Sequence, residues 1–137
     1  MELTLELAEK VLASQPFSVL MGARLTAFRD GGATLELDIR DDLRQQNGYL
    51  HGGVLAYAAD NAITFAGGTA LGPVVLTGGF TINYLRPADG LVLRAEAEVA
   101  HAGRRQAACT CELSTIDEAG AVTLCAIAQG TVIALRG

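Results

Sequence analysis

Val54 to Ala66 constrains this chain more than any other stretch: it contains neither Pro nor Gly, and Gly67-Gly68 follows directly. An interior free of helix breakers with a glycine pair behind it predicts a helix ending at Gly67. Val54, Leu55, Ala56, Ala58, Ala59, Ala62, Ile63, Phe65 and Ala66 make it apolar almost all round, the pattern of a helix enclosed by protein rather than lying on its surface. Strands must wrap it, and the flanking sequence supplies them. Ala33-Thr34-Leu35-Glu36-Leu37-Asp38-Ile39 alternates apolar and polar, and the same period returns in roughly 76–86, 90–101, 104–116 and 121–134. Turns separate these runs at Pro87-Ala88-Asp89-Gly90, Ala102-Gly103 and Glu118-Ala119-Gly120. Gly22 to Arg29 reads as a strand that turns at Asp30-Gly31-Gly32 into the run beginning at Ala33. Leu3, Leu7, Ala8, Val11 and Leu12 predict a short amphipathic helix over 3–13, stopped at Ser14-Gln15-Pro16. The expected class is α+β: a leading helix, two strands, the buried helix, and a four-strand antiparallel meander. Ala95, Ala97, Ala107, Cys109 and Cys111 fall on the core-facing side of that meander, so the helix must come close to it.

Bulk properties narrow the function classes. A chain of 137 residues predicts a single domain over 1–137, and 50% hydrophobic against 18% charged residues is the reverse of a disordered composition. A net charge of −5 with no basic run longer than Arg104-Arg105 lacks the footprint that nucleic acid demands. The cysteines at 109, 111 and 125 follow no zinc spacing, which predicts buried thiols in a reducing compartment and no metal. Met1 to Glu6 has no basic region of a secretory signal, and no apolar run reaches the ~20 residues that span a bilayer. A cytoplasmic protein without a membrane partner is expected.

The polar exceptions on the central helix, Tyr57, Asp60, Asn61 and Thr64, are spaced i, i+3, i+4, i+7 and form one stripe. That stripe either faces solvent or lines a cleft in which Asp60 is the ionisable group. Before the helix runs Gln45-Gln46-Asn47-Gly48-Tyr49-Leu50-His51-Gly52-Gly53, which delivers His51 to its N-terminus. First-turn N–H groups lack intrahelical partners and sit at the positive end of the helix dipole. A carbonyl oxygen gaining negative charge would therefore be stabilised at Gly52 and Gly53. His51 either caps the helix or serves that site.

His51-Gly52-Gly53-Val54-Leu55-Ala56-Tyr57-Ala58-Ala59-Asp60 closely resembles the motif of the hot-dog-fold acyl-CoA thioesterases, in the phenylacetate-type (PaaI-like) branch of the 4-hydroxybenzoyl-CoA thioesterase superfamily. The element order and the segment Phe80-Thr81-Ile82-Asn83-Tyr84-Leu85-Arg86-Pro87-Ala88 extend the resemblance over nearly the whole chain. It implies an antiparallel sheet wrapped around one long helix, and hydrolysis of an acyl-CoA to free acid and CoA without a cofactor. Asp60 becomes the catalytic carboxylate, acting as general base or nucleophile. The Gly52 N–H polarises the carbonyl, and His51 holds the loop. Gln45 or Asn47 supplies an amide side chain, Thr64 positions water, and Thr77 reaches the site from a partner subunit. The chemistry fits, because a thioester has weak resonance stabilisation and a good leaving group, so one carboxylate and one oxyanion site suffice.

Gly53, Tyr57, Asn61 and Phe80 are expected around the substrate, with Phe65 and the Gly67–Pro73 loop shaping the acyl pocket. Arg86 and the pair Arg104-Arg105 either bind the CoA phosphates or are solvated strand-end arginines. A sheet around one helix leaves a strand edge and the stripe uncovered, which predicts a homodimer or dimer of dimers with active sites at the interface. A hot-dog hydratase or dehydratase and a non-catalytic acyl-CoA-binding module are the alternatives.

Overall fold

A computed structural model describes residues 3–135; Met1, Glu2, Arg136 and Gly137 lie outside the described residues. The first helix, α1 (Leu5–Ala13), starts where Thr4 caps it, its hydroxyl accepting from the Leu7 N–H at 3.1 Å. The expected stop at Ser14-Gln15-Pro16 is followed by a second helix, α2 (Pro16–Met21). Pro16 sits in its first turn, where a missing N–H costs nothing, and Gly22 closes it in the left-handed conformation at φ 71°. Gly22 is therefore a cap, and β1 begins two residues later at Arg24 (Arg24–Arg29). It pairs with β2 (Gly32–Asp38) across Gly31, which takes φ 83°.

The central helix, α3 (Gly52–Leu71), does not end at the glycine pair but runs through it. Gly67 is there because α3 presses on the sheet: a Cβ at that position would stand 2.6 Å from the Cβ of Val132. The turn out of α3 falls instead at Gly72, with φ 95°. Ala58, Ala59, Ala62 and Ala66 of α3 meet Ala95, Ala97, Ala107 and Cys109 of the sheet, all essentially sealed from solvent. Leu35, Leu55, Ile63, Leu93 and Leu113 fill the remaining space, each worth about 1.5–3 kcal/mol on burial.

The last four strands are β3 (Val75–Tyr84), β4 (Val92–Ala102), β5 (Gln106–Ile116) and β6 (Val122–Ala134). They do not form one meander. The sheet order is β1-β2-β4-β5-β6-β3, antiparallel throughout, so β4-β5-β6 is a meander while β3 lies at the far edge against β6. Residues 85–91 cross the end of the sheet instead of making a hairpin: the Leu85 N–H bonds the Cys125 carbonyl and the Leu91 N–H bonds that of Ile116. Stepping over two strands to reach β4 requires about 14 Å at ~4.8 Å per strand, within easy reach of seven residues. The described residues thus form a sheet wrapped around α3, the hot-dog arrangement, and include no helix long and apolar enough to cross a membrane.

Candidate active site

The loop before α3 is held by one cation. Arg44 donates to the Gly48 carbonyl at 2.6 Å and to the carboxylates of Asp89 (2.9 Å) and Asp41 (3.2 Å), while Arg44 and Leu50 form a β-bridge. The guanidinium of Arg44, helped by the Gly90 N–H, holds the Asp89 carboxyl below the usual carboxylate range. This clamp sets the height at which the chain enters α3, and the His51 N–H then bonds the Leu43 carbonyl at 2.9 Å. Neither Arg44 nor Asp89 was expected at the site. The signal was a single basic residue between an acidic pair and an amide-rich loop.

His51 is the N-cap of α3: its Nδ1 accepts from the Gly53 N–H at 2.8 Å, and its carbonyl accepts from the Val54 N–H at 2.9 Å. The capping reading of His51 therefore describes its geometry, with Nδ1 bare and any ring proton on Nε2. Two of the first-turn donors are thereby occupied. Gly53 cannot offer its N–H to a ligand as expected, whereas the Gly52 N–H has no acceptor among the described residues. Tyr84, at the end of β3, donates its hydroxyl to the Gly52 carbonyl at 2.8 Å and lays its ring where a side chain on Gly52 would go, 3.2 Å from an ideal Cβ. Tyr84 was missed as a site residue, although it lies within the Asn83-Tyr84 segment that carried the resemblance.

The polar stripe divides between two neighbours, so neither the solvent face nor the open cleft describes it whole. Tyr57 donates to the Ser18 hydroxyl at 2.6 Å and packs edge-to-face on Phe17, with ring centroids 5.2 Å apart. Asn61 donates to Ser18, Gln15 and Tyr57, each at 3.1 Å. Tyr57 and Asn61 thus pin α2 onto α3, and Ser18 is buried among them. Asp60 and Thr64 turn toward β3: Thr77 donates its hydroxyl to Asp60 Oδ1, and Thr64 bonds both Thr77 and, at 2.9 Å, the Asp60 carbonyl. Thr77 makes this contact with Asp60 within one chain.

Other expected residues stand apart. Gln45 is half-buried and turns its side-chain carbonyl onto the Asn47 N–H, closing the turn through Gly48; Asn47 itself is exposed. Phe80 packs over Gly130, where a Cβ would collide with its own at 2.7 Å, and lies outside the apolar cavity beside Asp60. Phe65 does line that cavity. Arg86 is exposed at the Cys125 end of β6, and Arg105 is at the Ala134 end, so about 30 Å of strand at ~3.4 Å per residue separates them in one chain. The three cysteines are buried thiols; burial, with Glu96, Glu112 and Cys109 nearby, pushes Cys111 up to about 12.

Comparison with known proteins places the chain among thioesterases. Residues 47–122 match the family described as the Thioesterase superfamily. A thioesterase family protein of Silicibacter pomeroyi has a similar structure, with TM-score 0.88, 30% identity, and coverage of 93% of this chain and 95% of that one. A variant of the phenylacetic acid degradation protein PaaI of Thermus thermophilus is similar at TM-score 0.77 and 30% identity, over 88% of this chain and 100% of that one. A 1,4-dihydroxy-2-naphthoyl-CoA hydrolase of Listeria monocytogenes is 28% identical over 86 residues, 61% of this chain and 70% of the relative.

Proposed function

The chain belongs to the Thioesterase superfamily and is a thioester hydrolase, and we propose that it hydrolyses an acyl-CoA with Asp60 as general base and the Gly52 N–H as oxyanion donor. One observation carries this reading: α3 presents a first-turn N–H left open between two occupied groups, and on the same helix a carboxylate held by a neighbouring hydroxyl. Thr77 occupies Oδ1 of Asp60, leaving Oδ2 to take a proton from water as the water oxygen adds to the thioester carbonyl. The negative charge that develops on the carbonyl oxygen meets the Gly52 N–H at the positive end of α3. Collapse of the adduct expels the thiolate of CoA, which takes up a proton, and leaves the free acid. Thr64 holds Thr77 in place, and His51 fixes the first turn.

These two groups cannot meet in one chain. Eight residues of helix at 1.5 Å rise put Gly52 and Asp60 about 12 Å apart, whereas a carbonyl needs both within ~3 Å. A second copy supplies the missing half. β3 is an edge strand with Leu76 and Tyr84 exposed. Antiparallel pairing of two β3 strands about a point near Phe80–Thr81 sets Tyr84 of one copy, and with it Gly52, opposite Thr77 and Asp60 of the other. The same pairing carries the Arg104-Arg105 end of one copy toward the Arg86 end of the other, where cations suit the CoA phosphates.

The test is thiol release from a panel of acyl-CoA substrates. Asp60→Asn, folded as judged by circular dichroism, is expected to lose at least ~10²-fold in kcat, the low end for a positioned acid–base group. Near-wild-type turnover by that variant would refute the assignment. Charge removal at Arg86 or Arg104-Arg105 is expected to raise KM for acyl-CoA more than for the same acyl group on N-acetylcysteamine, which has no phosphates.

A further inference from the structure

A cavity of about 300 Å³ opens between α1 and α3 beside the proposed site. Thr64 is in its wall, and the hydroxyl of Thr64 touches Thr77, which holds the Asp60 carboxylate. The cavity therefore begins one side chain away from the carboxylate. Leu7 and Val11 of α1, Phe28 of β1 and Phe65 of α3 form much of the rest, with no charged side chain among the described lining residues. Its polar members already have partners: Thr4 accepts from the Leu7 N–H, Gln15 and Asn61 bond each other, and Thr64 donates to the Asp60 carbonyl. Nothing among the described lining residues invites a polar or charged ligand. Since a cavity of about 150 Å³ holds one benzene, this one has room for a hydrocarbon group of medium length.

Gly68 is one of the residues lining this cavity. Glycine is the poorest helix former after proline, so its presence inside α3 asks for a reason, and packing does not provide one. A Cβ on Gly68 would meet only Val75 Cγ2, at an ordinary 3.9 Å, in contrast to the collision at Gly67. What a side chain there would remove is cavity. We propose that the α1–α3 cavity receives the acyl chain, that the substrate class is uncharged apolar acyl thioesters of medium length, and that Gly68 and Val11, both in its lining, set the length limit. This rests on the thioesterase reading for the site the chain enters from.

The experiment is a ladder of acetyl-, butyryl-, hexanoyl-, octanoyl-, decanoyl- and succinyl-CoA. It is run for kcat/KM on wild type, Gly68→Ala and Val11→Phe, and for Kd by calorimetry with each change placed on Asp60→Asn. Selectivity is expected to rise along the ladder and then fall, with succinyl-CoA well below butyryl-CoA. Each cavity variant should cut the decanoyl-to-butyryl ratio by about 10-fold or more, the scale of one methylene in an apolar pocket, and should do so in kcat/KM and Kd alike. Unchanged ratios in folded variants, or succinyl-CoA used as well as butyryl-CoA, would overturn the assignment while leaving the hydrolase reading intact. Absence of hydrolysis with a truncated Kd ladder would do the opposite, sinking the hydrolytic reading and sustaining the subsite.

Discussion

Two neighbouring glycines illustrate how much meaning a single position carries. Gly67 and Gly68 look alike in sequence, where as a pair they predict a helix end, yet α3 passes through both. At Gly67 the added methyl would overlap Val132, so Gly67→Ala is expected to cost about 1–3 kcal/mol, the usual penalty of overpacking. At Gly68 the methyl fits, and Gly68→Ala is expected to raise stability by up to about 1 kcal/mol through helix propensity alone. Urea unfolding of both variants measures the pair, and equal signs would show that the α3–sheet spacing is not what distinguishes them. The distinction was invisible beforehand because it depends on Val132, which is 65 residues away in sequence. Asp60 was legible for the opposite reason: its stripe is a local periodicity, and helix geometry alone puts it there.

At the level of elements, alternation located five strands, and the turn at Asp30-Gly31-Gly32 the sixth, to within a few residues, but neither could order them. Period two reports that β3 has a buried side; it is silent about which strand lies beside it, and the crossing at residues 85–91 is set by hydrogen bonds to β6 and β5 that form only in the folded sheet. The second helix went unread because six residues are too few for periodicity, and its anchor, Ser18 with Tyr57 and Asn61, is a tertiary contact. The loop entering α3 was read from its amides and glycines, whereas its clamp is the Arg44–Asp89 pair. That clamp is acid-sensitive. The Asp89 carboxyl is held below its usual value, so its contribution is present above about pH 4, the unfolded-chain value, and is lost as pH falls through the lower folded one. The pair is partly exposed, so the effect on Tm is small. The difference in Tm between wild type and Asp89→Asn is expected to be positive at neutral pH and to close below about pH 4; a gap that persists at lower pH would remove Asp89 as its source.

On the scale of the whole molecule, the proposed site is divided between two copies of the chain. Gly52 with Tyr84 lies at one end of α3 and Asp60 with Thr77 lies part-way along it, about 12 Å further on at 1.5 Å rise per residue. Subunit mixing separates this arrangement from a site within one chain. Gly52→Pro deletes the N–H proposed as oxyanion donor but suits the backbone: His51, preceding it, is extended at ψ 135°, and proline is welcome in a first turn. The ring of Tyr84, at an exposed strand end, needs to yield by only a few tenths of an ångström. Alone, Gly52→Pro and Asp60→Asn are each expected to be nearly inactive. Refolded together, they are expected to form mixed dimers in which one site draws an intact Gly52 from one copy and an intact Asp60 from the other, while the second site carries both lesions. Random pairing makes half the dimers mixed with one good site in two, so roughly a quarter of wild-type activity should return. A site contained in one chain would leave the mixture as inactive as its components.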